Sequence, residues 1–343
     1  MKYSVIVPVY NRPDEVKELL ESLRAQTFRD FEVILVEDGS SVPCEDIAKD
    51  FSKELDIKYF TKENSGPGQT RNYGAERAVG EYLIILDSDV MVPPGYFEAI
   101  EAELTREPAD AFGGPDRAHK DFTPVQKAIN YAMTSFFTTG GIRGGKVKMD
   151  KFYPRSFNLG ISASAYVALG GFSKMRFGED IDLSIRIFKN NYRCRLFPDA
   201  WVWHKRRTNL KKFFKQVHNS GIARINLYKK YPESLKLVHM LPSAFTIGIV
   251  MLLIVLLPAL LIFSGLPWWA SVLIALSPLL VWSAAVFTDS SIKNKSPKIG
   301  LLSIAASFIQ LTGYGSGFLR AWWLRCVCGR GEELQAFRKT FYK

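Results

Sequence analysis

Hydrophobic residues near the start of the chain occur in short continuous runs separated by a stretch with helical spacing. Residues 4–10 and 31–36 are rich in β-branched side chains, which is typical of buried strands. Residues 57–60 and 82–86 predict two more strands. This order of strands and helices predicts an α/β fold with an open, largely parallel sheet. The first helix is predicted from apolar residues at i, i+3, i+4 and i+7, namely Val16, Leu19, Leu20 and Leu23.

Long apolar segments begin after residue 237. Residues 238–288 contain no Asp, Glu, Lys or Arg, and apolar segments cover about 238–263, 267–287 and 299–323. At about 1.5 Å per residue, each is long enough to cross a hydrocarbon core of about 30 Å. Three transmembrane helices are therefore predicted. The glycine-rich stretch 313–317 could break or bend a helix, so a re-entrant or interfacial third segment is the alternative.

Charge is distributed unevenly along the 343 residues, whose formal net charge is +11. Residues 1–200 carry 26 basic and 30 acidic side chains, whereas residues 201–237 carry 10 basic and one acidic. Anionic lipid headgroups explain a basic belt beside apolar segments better than nucleic acid does. The predicted partner is therefore a membrane, and nucleic acid is not expected.

Residues 208–237 of this basic belt are predicted to form amphipathic helices at the membrane interface. Apolar residues in it form a stripe at helical spacing, and lysines lie off the stripe, as in a helix that rests on a membrane surface. A core-packing helix with a solvated basic face is the alternative. The stripe contains Leu210, Phe213, Phe214 and Val217, and the lysines are Lys211, Lys212 and Lys215.

The orientation in the membrane follows from the basic loops. Lys293, Lys295 and Lys298 lie between the second and third apolar segments, and the positive-inside rule places them on the side of the N-terminal domain. The start of the chain lacks the pattern of a secretory signal. We therefore expect an integral membrane protein with a cytosolic N-terminal domain, in a bacterial inner membrane, and a basic tail over residues 325–343.

Polar residues follow three of the predicted strands, and after two of them these residues include carboxylates. Ligands of open α/β sheets bind beyond the carboxyl ends of the strands. Asp87 and Asp89 follow residues 82–86, and two such carboxylates can converge on a hard divalent cation. A turn or a helix cap is the alternative for this pair, and Asp38, followed by Gly39 and Ser40, could equally form a turn.

Six motifs together resemble the glycosyltransferases of family 2, which have the GT-A fold. They occur in the order of that family and cover about residues 3–207. The resemblance implies a Rossmann-like, nucleotide-diphospho-sugar-binding catalytic domain over residues 1–207, followed by the interface helices, the transmembrane region 238–324 and the tail. The motifs are VIVPVYNR at 5–12, VEDGS at 36–40, GPGQTRNYG at 66–74, YLIILDSD at 82–89, LGGF at 169–172 and GEDIDLSIRI at 178–187.

The resemblance also implies roles for individual residues. The nucleotide-sugar donor is expected to contact Pro8, Val9, Tyr10, Asp38, Arg71 and Asp87. A divalent metal, Mn²⁺ or Mg²⁺, is expected at Asp89, Asp87 and His204. Asp180 is expected to be the catalytic base, and a carboxylate beside a second ionised one, here Glu179, has a raised pKa that suits a base.

The residues alone leave other interpretations open. Glu179, Asp180 and Asp182 could be a solvated acidic first turn of a helix over 181–188, stabilised by the helix dipole. His204 could be structural. The glycine-rich stretch 140–146 could be a mobile acceptor loop in which Arg143 and Lys146 contact lipid phosphate, or simply a flexible loop.

The expected reaction is inverting, metal-dependent transfer of one sugar from a nucleotide-diphosphate sugar, expected to be UDP-linked, to a hydroxyl of a membrane lipid or lipid-linked glycan. The sequence departs from polyprenyl-phosphate sugar synthases at Val90 and Met91, where Leu-Gln is usual, and it lacks the Gln-X-X-Arg-Trp motif of processive synthases after Gln216. The alternatives are a polyprenyl-phosphate sugar synthase and a catalytically silent, nucleotide-binding membrane scaffold.

Overall fold

A computed structural model describes residues 1–117, 119, 121–140 and 152–334, which divide into two compact units. The first contains residues 1–117, 119 and 152–205, and the second contains residues 121–140 and 206–334. The strands are β1 (Tyr3–Val9), β2 (Phe31–Asp38), β3 (Ile57–Lys62), β4 (Tyr82–Leu86), β5 (Val90–Met91), β6 (Ala111–Gly113), β7 (Asp116–Arg117), β8 (Asn158–Ser162), β9 (Cys194–Leu196) and β10 (Val202–His204).

Eight helices belong to the described part of the first unit or to the segment that interrupts it. Five more helices lie in the described residues 206–334, together with single turns of 3₁₀-helix at Pro232–Ser234 and Leu237–His239 and of π-helix at Leu252–Leu256 and Trp323–Val327. The helices are α1 (Pro13–Arg24), α2 (Glu45–Phe51), α3 (Pro67–Ala75), α4 (Tyr96–Arg106), α5 (Pro124–Thr134), α6 (Phe136–Thr139), α7 (Ala163–Ala168), α8 (Glu179–Lys189), α9 (Leu210–Lys230), α10 (Leu241–Met251), α11 (Leu257–Phe263), α12 (Trp268–Asn294) and α13 (Pro297–Trp322).

The first unit is built on a seven-stranded sheet with the order β3-β2-β1-β4-β8-β6-β9. Its first four strands run parallel, as the sequence predicts, while β8 runs antiparallel to both β4 and β6. Val9 is paired with Glu37, and Ile6 with Ile85. This register brings the carboxyl ends of β2, β1 and β4 to one edge of the sheet, where the polar residues after the strands collect.

Both faces of this sheet are covered by apolar packing. Val16, Leu19, Leu20 and Leu23 of α1 are completely buried against one face, which confirms the predicted helix. Phe172 and Leu183 pack with Ile6 and Ile85 on the other face. A sheet buried on both sides explains why residues 82–86 are apolar throughout rather than alternating.

The described part of the second unit contains three helical segments that are long and apolar enough to cross a membrane. They are Leu241–Phe263, Trp268–Asn294 and Pro297–Val327, with mean hydropathies of 2.9, 2.1 and 1.2 over their most apolar windows. The first segment includes α10, a π-helical turn and α11. These segments agree with the three apolar segments expected from the sequence, and each extends beyond or shifts from the expected bounds by a few residues.

The glycine-rich stretch 313–317 neither breaks α13 nor interrupts its helical structure. A Cβ atom on Gly317 would lie 2.0 Å from the backbone oxygen of His218, and one on Gly315 would lie 2.4 Å from that of Pro242. These glycines therefore let α9 and α10 approach α13 closely.

The apolar stripe of α9 is also used for packing. Phe213 and Val217 are buried with residues of α5 and α13, while Lys211 and Lys212 are exposed. This arrangement corresponds to the alternative of a core-packing helix with a solvated basic face. Contact of α9 with a membrane surface stays a prediction.

We expect Gly317→Ala to destabilise the second unit, because the new methyl group would force α9 and α13 apart. Gly248→Ala is the matched control, since a methyl group added to Gly248 in α10 would meet no neighbouring part of the described chain within 4 Å. The alanine in α10 should be neutral or stabilising by up to about 1 kcal/mol through helix propensity. Thermal unfolding of the full chain in detergent measures both variants, and equal melting temperatures would contradict the close-approach interpretation.

Candidate active site

The predicted metal ligands meet through two local structures. Asp87 and Asp89 follow β4 directly. His204 is far away in sequence, but β10 pairs antiparallel with β5, and this register places His204 opposite Val90. The backbone N–H of Lys205 donates to the carbonyl of Asp89 at 3.1 Å and fixes the same arrangement. Pairing of two very short strands therefore positions the histidine.

Asp87, Asp89 and His204 each offer one ligand atom, and these atoms lie within 4.8 Å of one another. His204 Nε2 lies 3.3 Å from Asp89 Oδ1. Two carboxylates and an imidazole suit a manganese-like ion, and all three side chains are partly accessible. On the other side of the ring, Asp116 Oδ2 lies 4.0 Å from His204 Nδ1. The donor set fits a divalent cation.

Arg12 approaches the same acidic group. Its Nη1 atom donates to Asp89 Oδ2 at 2.9 Å, and it lies 3.6 Å from Glu15 Oε1. The guanidinium therefore places positive charge where a divalent cation would bind. Sequence reasoning assigns no role to Arg12, although it is the last residue of the motif at 5–12, because only the fold brings the start of α1 to the end of β4.

Arg71 links the two acidic motifs. It is 3% exposed, and its Nη2 atom donates to Asp87 Oδ1 at 2.7 Å while Nη1 donates to Glu179 Oε1 at 3.1 Å. Its guanidinium carbon also lies 5.2 Å from the ring centroid of Phe172. A buried guanidinium needs such partners, because unpaired buried charge is costly. The two ion pairs fix the distance between Asp87 and the start of α8.

The acidic start of α8 is largely buried. Glu179 and Asp182 are 8% and 0% exposed, which contradicts the alternative of a solvated acidic turn. Asp182 pairs with Arg186 at 2.8 Å. Gly178 precedes the helix with a φ of +83°, a left-handed conformation that favours glycine.

Glu179 and Asp180 differ in environment although they are adjacent. Burial raises the pKa of Glu179 to about 7, and the charge of Asp180 acts in the same direction while Arg71 opposes it. Asp180 Oδ1 accepts the N–H of Ile181 at 2.8 Å, and Arg155 donates to Oδ2 at 3.3 Å. Its side chain is 17% exposed. Asp180 is thus the more accessible carboxylate of the two.

Asp38 is buried at the end of β2, where it organises the loop before α3. Lys62 Nζ and the N–H of Ser65 donate to its Oδ1 at 2.7 and 2.8 Å, and the N–H of Gly66 donates to Oδ2 at 2.9 Å. Its contact with a nucleobase stays a prediction.

The residues at the end of β1 differ in exposure. Val9 lies in the core with 1% exposure, whereas Pro8 and Tyr10 are partly exposed at the same sheet edge. Donor contacts from Pro8, Val9 and Tyr10 stay predictions. Arg143 and Lys146, expected to contact acceptor or lipid, lie outside the described residues.

Comparison with known proteins finds a family similarity over part of the chain and a shared fold. Residues 4–164 match the profile of glycosyl transferase family 2. A mannosyltransferase from Pyrobaculum calidifontis, PcManGT, solved in complex with GDP-Man and Mn²⁺, superposes with a TM-score of 0.64 at 17% identity, over 94% of this chain and 87% of that chain. Residues 4–164 are thus similar to glycosyl transferase family 2, and the α/β fold of the first unit is GT-A-like.

Curated relatives match over parts of their length. An uncharacterised glycosyltransferase from Rickettsia felis is 34% identical over 40% of this chain and 22% of its own length. A GalNAc(5)-diNAcBac-PP-undecaprenol beta-1,3-glucosyltransferase from Campylobacter jejuni is 33% identical over 33% of this chain and 37% of its own length. The chain thus spans about a fifth to somewhat over a third of the length of these relatives.

We expect Mn²⁺ to bind the purified protein in competition with Arg12. Asp89→Asn should weaken binding at least about tenfold by removing a carboxylate ligand. Arg12→Gln should tighten it, because the competing cation is lost. Calorimetric titration with MnCl₂ measures both, and Arg24→Gln, a surface arginine paired with Glu54, is the control. Unchanged or weaker affinity in Arg12→Gln would contradict the competition.

The raised pKa of Glu179 predicts a pH dependence of stability. The folded protein retains this proton up to a pH of about 7, whereas an unfolded glutamate releases it near its ordinary value of 4.5. The contribution of Glu179 therefore falls as the pH rises from about 4.5 to about 7. The melting temperature of Glu179→Gln relative to wild type should be higher at pH 8 than at pH 5. Exposed Glu76 provides the control Glu76→Gln, and a pH-independent difference would refute this explanation.

Proposed function

We propose that the protein transfers one sugar from a nucleotide-diphosphate sugar to a hydroxyl of a membrane lipid or lipid-linked glycan, with inversion at the sugar carbon. The observation that carries the proposal is the convergence of Asp87, Asp89 and His204 within 4.8 Å, beside the buried ion pairs of Arg71. The named activity of the Campylobacter relative on an undecaprenol-linked substrate supports a lipid-linked acceptor.

The donor is proposed to bind at the carboxyl ends of β1, β2 and β4. Pro8, Val9, Tyr10 and Asp38 would surround the nucleoside, and Arg71 would face the diphosphate. Asp87, Asp89 and His204 would hold Mn²⁺ or Mg²⁺, which when bound offsets negative charge on the departing diphosphate. The Mn²⁺ and GDP-Man in the complex of PcManGT are consistent with this assignment.

Asp180 is proposed as the general base. Its carboxylate would accept the proton of the acceptor hydroxyl as that oxygen bonds to the sugar carbon, while the bond from this carbon to the phosphate oxygen breaks and a nucleoside diphosphate leaves. Glu179 would act as a positioning residue, because it contacts Arg71 and is buried. The capping contact from Ile181 N–H and the ion pair with Arg155 hold Asp180 in place.

The ion pair of Arg155 with Asp180 favours a second candidate acceptor, a polyprenyl phosphate. An anionic acceptor would be attracted by the guanidinium and would need no base, since its oxygen is already nucleophilic. The two candidates differ in their dependence on Asp180, and both retain the same donor.

We expect the full chain in detergent to release nucleoside diphosphate from one member of a donor panel, with Mn²⁺ or Mg²⁺ and lipid extract present. For a hydroxyl acceptor, Asp180→Asn should lower this release about 100-fold or more, the typical contribution of a general base. Asp50→Asn, at an exposed carboxylate of α2, is the matched control and should retain wild-type rates. The products are quantified by phosphate-coupled assay and mass spectrometry.

The outcome of this assay distinguishes the proposed reaction from its alternatives. Near-wild-type release by Asp180→Asn in the presence of lipid would overturn the base and favour the phosphate acceptor. Donor consumption that does not respond to lipid would overturn the lipid acceptor. If no donor is consumed, the transferase proposal fails and a catalytically silent scaffold becomes the better explanation.

A further inference from the structure

Residues 121–140 precede the acidic motif of the glycosyltransferase domain in sequence, yet they belong to the second unit. They form α5 and α6, which are joined at Ser135. The family resemblance alone includes this segment in a catalytic domain over 1–207. Its packing partners are the apolar helices of the second unit instead.

Two contacts with α12 show how far along the apolar helix this segment reaches. The hydroxyl of Tyr131 donates to Asp289 Oδ2 at 2.8 Å, and the indole N–H of Trp282 donates to the carbonyl of Phe137 at 3.2 Å. Asp289 is the first charged residue after the uncharged stretch 238–288. Trp282 lies seven residues before it, which is about 10 Å along a helix. The second half of the segment therefore lies beside a charge-free part of α12.

Contacts with α13 also place this segment beside an uncharged part of an apolar helix. Ala128, Ile129, Ala132 and Met133 of α5 are buried in one cluster with Ile299 and Ala306 of α13. The ring of Trp282 lies 4.8 Å from that of Phe308, which is ten residues beyond Lys298 and thus about 15 Å along α13. The contacts of α12 and α13 therefore place Phe137 beside the uncharged parts of these helices, well away from Asp289 and Lys298.

Three threonine hydroxyls of the segment donate to backbone carbonyls within it. Thr134 donates to the carbonyl of Asn130 at 2.9 Å, Thr138 to that of Ala132 at 2.6 Å, and Thr139 to that of Ser135 at 3.0 Å. The N–H of Phe137 donates to the hydroxyl of Ser135 at 3.2 Å. Hydrocarbon offers no hydrogen bonds, so a segment inside it must pair its polar groups internally.

The exposed surface of the segment is apolar. Phe136 is 72% exposed and Phe137 is 37% exposed. Residues 128–142 contain no charged side chain. Two adjacent exposed phenylalanines are unfavourable in water, and the second of them contacts Trp282 of α12, which lies in a segment that could span a membrane.

We infer that α5 and α6 form a membrane-inserted element that enters the hydrocarbon of one leaflet, with Phe136 in contact with lipid chains. The occupant of this surface is the hydrocarbon chain of a membrane lipid. The inference rests on the three spans crossing a bilayer and is independent of which sugar or acceptor is used.

The test places a nitroxide at Phe136→Cys in the full chain reconstituted in phosphatidylcholine and phosphatidylglycerol vesicles. Cys326 and Cys328 are first replaced by alanine, while Cys44 is buried and burial raises the pKa of Cys194 to about 12, so neither reacts readily. Power-saturation spectroscopy then compares the accessibility of the label to oxygen, which concentrates in hydrocarbon, with that to a water-soluble nickel chelate.

Two matched sites calibrate this measurement. Ile254, the site of Ile254→Cys, is 68% exposed in the first apolar segment, and Val79, the site of Val79→Cys, is 63% exposed in the first unit. We expect the label at position 136 to resemble that at 254, with oxygen accessibility several-fold above nickel accessibility. A ratio like that at 79 would overturn the inference, and so would exclusion of both reagents, since that would indicate a protein partner. Sugar-transfer activity does not enter this readout.

Discussion

The buried guanidinium of Arg71 is the constraint on which the rest of the candidate site depends. It cannot be left unpaired in the protein interior, and its two partners are distant from each other in sequence, Asp87 after β4 and Glu179 at the start of α8. The close packing of α3 against β1 and β2 at Gly74 fixes where the guanidinium emerges. The ion pairs of Arg71 thus hold Asp87 and Glu179 at a fixed spacing.

Local sequence patterns predict much of the fold. Four apolar residues of α1 lie at helical spacing and are all fully buried, and the strand at 82–86 has the predicted bounds. The short-range Asp87 and Asp89 pair is also predictable, because both follow one strand. His204 is assigned only through family resemblance, since its position depends on the pairing of β5 with β10. Arg12 and Arg155 carry no signal at all, because their partners are distant in sequence.

Sequence patterns do not predict the structure of a segment where packing decides between two structures that the same residues could adopt. Glycines at 313–317 can break a helix or admit a neighbouring one, and only the proximity of His218 and Pro242 shows the second. The uncharged run 128–142 is too short to predict a span. Its association with the apolar helices depends on the contacts of Tyr131 and Phe137, which join residues more than a hundred positions apart.

Each carboxylate of the candidate site has a cationic partner within the protein. On the proposed function, a divalent ion would bind Asp89 in place of Arg12 and Asp87 in place of one ion pair of Arg71, which would keep its ion pair with Glu179. Both guanidinium groups would then have less of their charge compensated beside the diphosphate. The net charge of the site would change little when the divalent ion and the diphosphate bind together. This limits the desolvation cost of bringing the ion, the diphosphate and the charged side chains together. Such an exchange of ion-pair partners requires that each acidic side chain be paired with a cationic side chain that can form a new ion pair. The pairs in the candidate site are Asp38 with Lys62, Asp87 and Glu179 with Arg71, Asp89 with Arg12, and Asp180 with Arg155.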